Sequence, residues 1–209
     1  MPRFFVEKIS HPAVLSPEES RHAVKALRLG AGDRVTVFDP QETWSGEIES
    51  TDGRVRIRLL EKLARAALPA VMVAAAVPKG SRLDWMVEKL AELGVATFQP
   101  VRFARSVAEL GEAKRKRLEN VALAAAKQSG APVMKIAGEK PVRDLPADAL
   151  LASPGAADPL PRGAGLVLIG PEGGLAPEEE GRFLRRFGLG PTILRIETAA
   201  VVAAARLLS

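Results

Sequence analysis

The stretch LIGPEGG, residues 168–174, carries an apolar run into a loop with three glycines, one proline and one carboxylate, Glu172. Glycine lets backbone approach a ligand closely, and a glycine-rich turn ahead of a helix is the usual cradle for phosphate. Glu172 points to a different guest, because a carboxylate in the loop repels phosphate and welcomes positive charge. Cationic or neutral nucleoside-like molecules are the candidates that remain. Neither G-x-G-x-x-G nor G-x-x-x-x-G-K-[ST] occurs in the chain.

That apolar run is one of several. VMVAAAV, ATFQPVRF, PVMKIAG, ALLAS, GLVLIG and PTILRI recur from about residue 70 onward, with helical stretches between them. Continuous apolar runs alternating with helices predict an α/β domain whose parallel sheet is covered on both faces. The helix DWMVEKLAELG takes Ser81 as N-cap and Gly94 as its stop, burying Leu83, Met86, Val87 and Leu90 and showing Trp85, Glu88, Lys89 and Glu92. A second helix, EAKRKRLENVALAAAKQSG, ends at Gly130; its KRKR run reads as a solvated face or an RNA contact. ASPGAADPLPRGAG, residues 152–165, is a short linker.

In such a sheet, ligands bind beyond the carboxyl ends of the strands. Three loops are placed there: Ser153, Pro154 and Gly155 after ALLAS, the LIGPEGG loop, and LGPTILRIETAA, residues 189–200. In the last, Arg195 and Glu197 punctuate an expected strand that enters the small-residue helix TAAVVAAARLL, with Thr198 as its N-cap. These two charged residues read either as site residues or as a buried ion pair holding the last helix.

The first 67 residues have another texture. FFVEKI, DRVTVFD, TWSGEIES and VRIRLLEKL alternate apolar and polar positions around the turn signals GAGD and TDG, which predicts a small β-barrel. Its one helix begins at Ser16, with Pro17 at the first helical position and Glu19 placed for a capping box. Ala23, Val24 and Leu27 are expected to face the core, while Arg21, Lys25 and Arg28, flanked by His22, form a basic stripe. That stripe reads as a phosphate contact or as a solvated helix face. The chain therefore divides near residue 70, into 1–69 and 70–209.

Composition removes whole classes of chemistry. The 209 residues include no cysteine, and His11 and His22 are the only histidines, which excludes thiolate nucleophiles, disulfides and a histidine-rich metal site. The N-terminus lacks a signal-peptide core and no apolar run spans a membrane, so a cytoplasmic location is expected. The net charge of +5 is uneven: residues 68–140 carry 12 Lys and Arg against 7 Asp and Glu, whereas residues 1–67 carry 11 against 10 and residues 141–209 carry 7 against 8. A basic sector beside a balanced remainder suits a polyanion such as RNA, or a solvated surface.

Taken in order, HAVKALRLGAGD, VEKLAELGV, AAAKQSG, LIGPEGG and LGPTILRIETAA cover nearly the whole chain. This set resembles the SPOUT-superfamily RNA methyltransferases, specifically the family that methylates N3 of a uridine in the 16S ribosomal RNA of the small subunit. The resemblance implies an N-terminal PUA-like β-barrel and a C-terminal SPOUT α/β domain with a deep trefoil knot, a homodimer, and S-adenosylmethionine as cofactor. It implies cofactor contacts from Leu151, Ala152, Ile169, Gly170, Pro171, Glu172, Gly173 and Gly174, and from Leu189, Gly190, Ile193, Leu194, Arg195, Thr198 and Ala199. Arg195 is the expected stabiliser of developing charge, with Glu172 or Glu197 positioning. Arg3, His22, Lys25 and Arg28, together with Lys79, Arg82, Lys89, Arg102 and Arg105, are the expected RNA contacts. Two rivals stand beside this reading: a nucleotide-using α/β enzyme, and an RNA-binding module without catalysis.

Overall fold

Short apolar-rich segments in the first third of the chain pair as strands around a common core. The computed structural model describes residues 1–65 and 68–208, and the chain falls into two compact units, Met1–Ala67 and Leu68–Ser209. In the first, β1 (Arg3–Phe5), β2 (Ala13–Val14), β3 (Arg34–Phe38), β4 (Thr43–Ser50) and β5 (Arg56–Lys62) form a curled sheet in the order β1-β3-β4-β5-β2. β1 runs parallel to β3 and the other pairs are antiparallel. Phe4, Val35, Val37, Ile48 and Ile57 fill its core. β1 and β2 remain as edges, so the expected barrel is an incompletely closed sheet among the described residues.

Ser16 caps α1 (Pro17–Arg21) by accepting the Glu19 amide at 3.1 Å. The helix then widens into a π-helical segment, His22–Ala26, closed by Leu27 N–H donating to the His22 carbonyl. The wider turn rotates side chains away from the 3.6-residue period. Ala23 is buried as expected, but Val24 and Leu27, expected in the core, are exposed beside His22, Lys25 and Arg28.

The second unit is a parallel sheet in the order β12-β10-β11-β6-β7-β8, built from β6 (Met72–Ala76), β7 (Thr97–Arg102), β8 (Lys135–Ile136), β10 (Leu150–Ala152), β11 (Leu166–Ile169) and β12 (Arg186–Phe187). β9 (Lys140–Pro141) adds a short pairing to β7. α2 (Arg82–Leu93) buries Leu83, Met86, Val87 and Leu90, as its period predicts, and stops at Gly94 in the left-handed conformation. Ser81 precedes it but makes no side-chain capping bond, contrary to expectation. α3 (Glu112–Ser129) ends at Gly130. A short α4 (Pro177–Glu180) leads to β12, and α5 (Ile196–Leu208) packs against α2, β6 and β11.

Two expectations fail at the C-terminal end. PTILRI is not a strand: Gly190 and Pro191 break the extension, Ile193 is 84% exposed, and helix α5 already begins at Ile196. The sheet position is taken instead by the two residues of β12, paired with β10. Thr198 accordingly lies inside α5 and is not its N-cap; the Arg195 carbonyl accepts the first helical bond, from Ala199 N–H at 2.8 Å.

Candidate active site

β10 and β11 end side by side, and the loops leaving them, with the chain before α5, enclose a cleft of about 580 Å³ open to solvent. Ala152, Ser153 and Pro154 line it from β10; Ile169, Gly170 and Glu172 from β11. Leu189, Gly190, Thr192 and Leu194, then Ile196 and Ala199, complete it. Among these lining residues Glu172 is the only charged group.

Close backbone packing shapes two walls. A Cβ on Gly188 would lie 2.2 Å from the Ala156 carbonyl oxygen, and Gly188 N–H donates to the Asp158 carbonyl at 2.8 Å. Only glycine lets the chain ahead of Leu189 pass so near the β10–β11 connection. On the other wall, the GPEGG loop turns back on itself through Gly174 N–H donating to the Pro171 carbonyl at 2.9 Å. Arg105 ties that loop to the segment after β7 by donating to the Gly173 carbonyl at 2.9 Å. Glu179 doubles the tie, accepting from Ala104 N–H at 2.7 Å and from Ala176 N–H at 3.0 Å. At the far end, Arg206 of α5 donates to the Leu189 carbonyl at 3.0 Å.

The charges around the cleft meet at one guanidinium. Arg82, the first residue of α2, donates through Nη1 to Glu172 Oε1 at 2.9 Å and lies 3.7 Å from Glu197 Oε1. Glu197 occupies the first turn of α5, where the helix dipole favours a carboxylate, and is buried. Its Oε2 takes no hydrogen bond from any described residue. Arg195 is exposed just ahead of α5 and is not the ion-pair partner of Glu197.

Of the residues singled out from sequence, Ala152, Ile169, Gly170, Glu172, Leu189, Gly190, Leu194 and Ala199 are brought together on the cleft surface. Leu151 and Pro171 are buried behind it, Gly173 and Gly174 face Arg105, and Ile193, Arg195 and Thr198 lie outside the lining. Thr192 and Ile196 line it without having been singled out, since a strand reading of PTILRI hides the turn that brings them round. Glu179 carries a readable signal, a carboxylate three residues after the start of APEE. Among the expected RNA contacts, Lys89 is held by Glu88 and Glu92, both at 2.8 Å, and Arg102 lies within 4.0 Å of Glu109 and Glu139. Arg3 stacks 4.9 Å above the Phe38 ring. His22, Lys25, Arg28 and Lys79 are exposed.

Among the described residues no helix is long and apolar enough to cross a membrane, and no cluster of three metal-ligating side chains occurs. Fold and cleft together define an α/β protein with a cleft at the carboxyl edge of its sheet, preceded by a small β unit. The chain belongs to the RNA methyltransferase family, whose domain matches residues 66–208, and residues 15–60 match the RNA methyltransferase PUA domain. It is 30% identical to the ribosomal RNA small subunit methyltransferase E of Bacillus subtilis (strain 168), over 97% of this chain and 94% of that protein. A methyltransferase from Legionella pneumophila, solved with its bound cofactor SAM, superposes with a TM-score of 0.84 at 27% identity, covering 98% of this chain and 95% of the other. The ribosomal RNA small subunit methyltransferase E of Neisseria gonorrhoeae, bound to S-adenosyl methionine, gives 0.84 at 25% identity over 99% and 96%.

Proposed function

We propose that this protein transfers a methyl group from S-adenosylmethionine to N3 of a uridine in 16S ribosomal RNA, acting in the cytoplasm on the small ribosomal subunit. The cleft carries the proposal: its lining offers one carboxylate, Glu172, and neither lysine nor arginine. S-adenosylmethionine bears a sulfonium and an ammonium and no phosphate, so that lining suits it and ill suits a nucleotide. Ile169, Leu189, Leu194 and Ile196 give apolar surface for an adenosine, and backbone near Gly170 and Gly190 gives hydrogen-bonding groups in the cleft wall. The bound donor supplies an electrophilic methyl group. The names of the Bacillus and Neisseria relatives specify small-subunit ribosomal RNA, and two structural relatives hold this donor.

N3 of uracil becomes nucleophilic as its proton leaves, with negative charge spreading to the ring oxygens. A guanidinium aimed at that charge lowers the barrier, and we assign this role to Arg195, which is exposed next to the cleft-lining Leu194. Glu172 and Glu197 position the walls. N3 lies on the pairing edge, so the uridine must be unpaired or extruded. In the first unit His22, Lys25 and Arg28 offer exposed positive charge for phosphates, and in the second Lys79 does so.

A trefoil knot and a homodimer belong to the same reading. β12 lies outside β10 while α5 packs against β6 and β11, so the chain between them crosses the carboxyl ends of β10 and β11, touching the connection at Asp158. Leu184 and Ile193, at 88% and 84% exposure, are apolar surface for a second copy. Small subunits lacking the modification, incubated with methyl-labelled donor, should incorporate label at N3 of one uridine; label on a ribose or another base refutes the assignment. Parallel calorimetry with ATP, NAD and S-adenosylmethionine separates the nucleotide-enzyme rival, which requires binding of the first two alone.

A further inference from the structure

We propose that Arg82 is a positioning residue of the donor cleft, tying Glu172 on one wall to Glu197 on another, and not a ligand for RNA phosphate; the inference rests on the methyl-donor reading above. Three segments far apart in sequence meet at this guanidinium: the first residue of α2, the GPEGG loop and the first turn of α5. The near neighbours of both carboxylates line the cleft, Gly170 on the loop side and Ile196 and Ala199 on the helix side. The spacing of those two walls is therefore set through one side chain.

Burial decides between the two roles. The Glu197 side chain is only 8% exposed, Arg82 is its only cation within 4.0 Å among the described residues, and its Oε2 takes no hydrogen bond. Removing the partner of a buried charge leaves that charge uncompensated, which is far more destabilising than losing an exposed pair. Arg82 cannot turn to a phosphate without stranding Glu197. An exposed Lys79, three residues earlier, carries no such obligation. Two carboxylates against one guanidinium also leave a formal charge of −1, which matches a donor with a sulfonium, an ammonium and one carboxylate. Both carboxylates approach the same nitrogen, Nη1, of a guanidinium that stays charged at any working pH.

The test uses the full chain with Arg82→Met, Arg82→Lys and the double variant Arg82→Met/Glu197→Gln, which removes the stranded charge. Three quantities are read: S-adenosylmethionine affinity by calorimetry, affinity for unmodified small subunits across a salt series, and melting temperature. Arg82→Met should weaken donor binding roughly tenfold or more, the loss expected of a charged hydrogen bond, with Arg82→Lys in between. The double variant should melt near the wild type yet still bind donor weakly, while the salt slope for subunit binding stays unchanged in all three. Donor affinity retained or tightened in the folded double variant overturns the proposal. So does a salt slope shallower by about one, the mark of a lost phosphate contact. Failure of the wild type itself to bind the donor would instead bring down the reading of the cleft.

Discussion

Replacing Gly188 by alanine should damage the protein out of proportion to one methyl group. The added Cβ would sit 2.2 Å from the Ala156 carbonyl oxygen and 3.3 Å from its carbon, both backbone atoms. Reaching ordinary contact requires the two chains to separate by on the order of 1 Å. That separation stretches the Gly188–Asp158 hydrogen bond, now 2.8 Å, and displaces Leu189 and Gly190 in the cleft wall. Overpacking of this kind costs about 1–3 kcal/mol. In a chain of this size each kcal/mol lowers the melting temperature by roughly 2–4 °C. Gly170→Ala is the internal comparison, because its Cβ meets only the end of the Leu175 side chain, at 2.4 Å, which can swing aside. Thermal melting and donor calorimetry on both variants should show the larger loss of each property in Gly188→Ala. Equal melting temperatures and equal donor affinities for Gly188→Ala and wild type would show that the crossing is loose, and the reasoning from close approach would be wrong.

Arg195→Ala should reduce methyl transfer by about 10²–10³-fold while leaving donor affinity nearly intact, as removal of a charge-stabilising donor does; unchanged turnover removes Arg195 from the mechanism. Asp39 gives a pH-dependent prediction in the first unit. Burial pushes its carboxyl up, but hydrogen bonds from the Ile9, Glu42 and Gln41 amides, with the Arg65 guanidinium, outweigh that and hold it below its ordinary value. A carboxyl depressed in the folded state stabilises fully above the ordinary carboxylate range and less as pH falls through its folded value. Asp39→Asn should therefore cost about 2 kcal/mol near neutrality, and its melting difference from wild type should hold down to about pH 5 and shrink only at lower pH; a difference independent of pH contradicts the assignment.

How far the sequence could be read depended on whether neighbours outside a segment decided its shape. The parallel strands and α2 were legible because their periodicity is met by burial on the expected faces, as at Leu83, Met86, Val87 and Leu90. PTILRI has the composition of a strand, yet its apolar residues serve the cleft: Leu194 and Ile196 line it and Ile193 stays in solvent. β12, with two residues, has no period to detect, and its place exists only because β10 offers an open edge. Val24 and Leu27 fail for a local reason, since a π-helical turn inserts extra rotation that a 3.6-residue period cannot anticipate. GPEGG marked the site because glycines and a carboxylate are informative in themselves, whereas the Arg82–Glu172–Glu197 grouping depends on three segments meeting in space.

The same distinction reassigns the positive charge proposed to grip RNA. Formal charge counts lysines and arginines equally, but a cation already satisfied within the fold has less to gain from a phosphate. Lys89 sits between Glu88 and Glu92, whose carboxylates hold its ammonium above its usual value; Arg102 faces Glu109 and Glu139; and Arg105 is spent on the Gly173 carbonyl. Arg3 is lowered by burial and then by Arg65, and lies against Phe38. Of the cations expected to touch RNA in residues 68–140, Arg82, Lys89, Arg102 and Arg105 are thus engaged at close range, although that sector holds the strongest charge signal in the sequence. The nearly neutral first unit instead presents His22 and Lys25 on one short helical segment, with Arg28 held at a positive φ of 55° just beyond it. Lys25→Met should therefore weaken RNA binding and flatten its salt dependence by about one phosphate contact, whereas Lys89→Met should leave that slope unchanged; the reverse ranking would return the RNA grip to the basic sector.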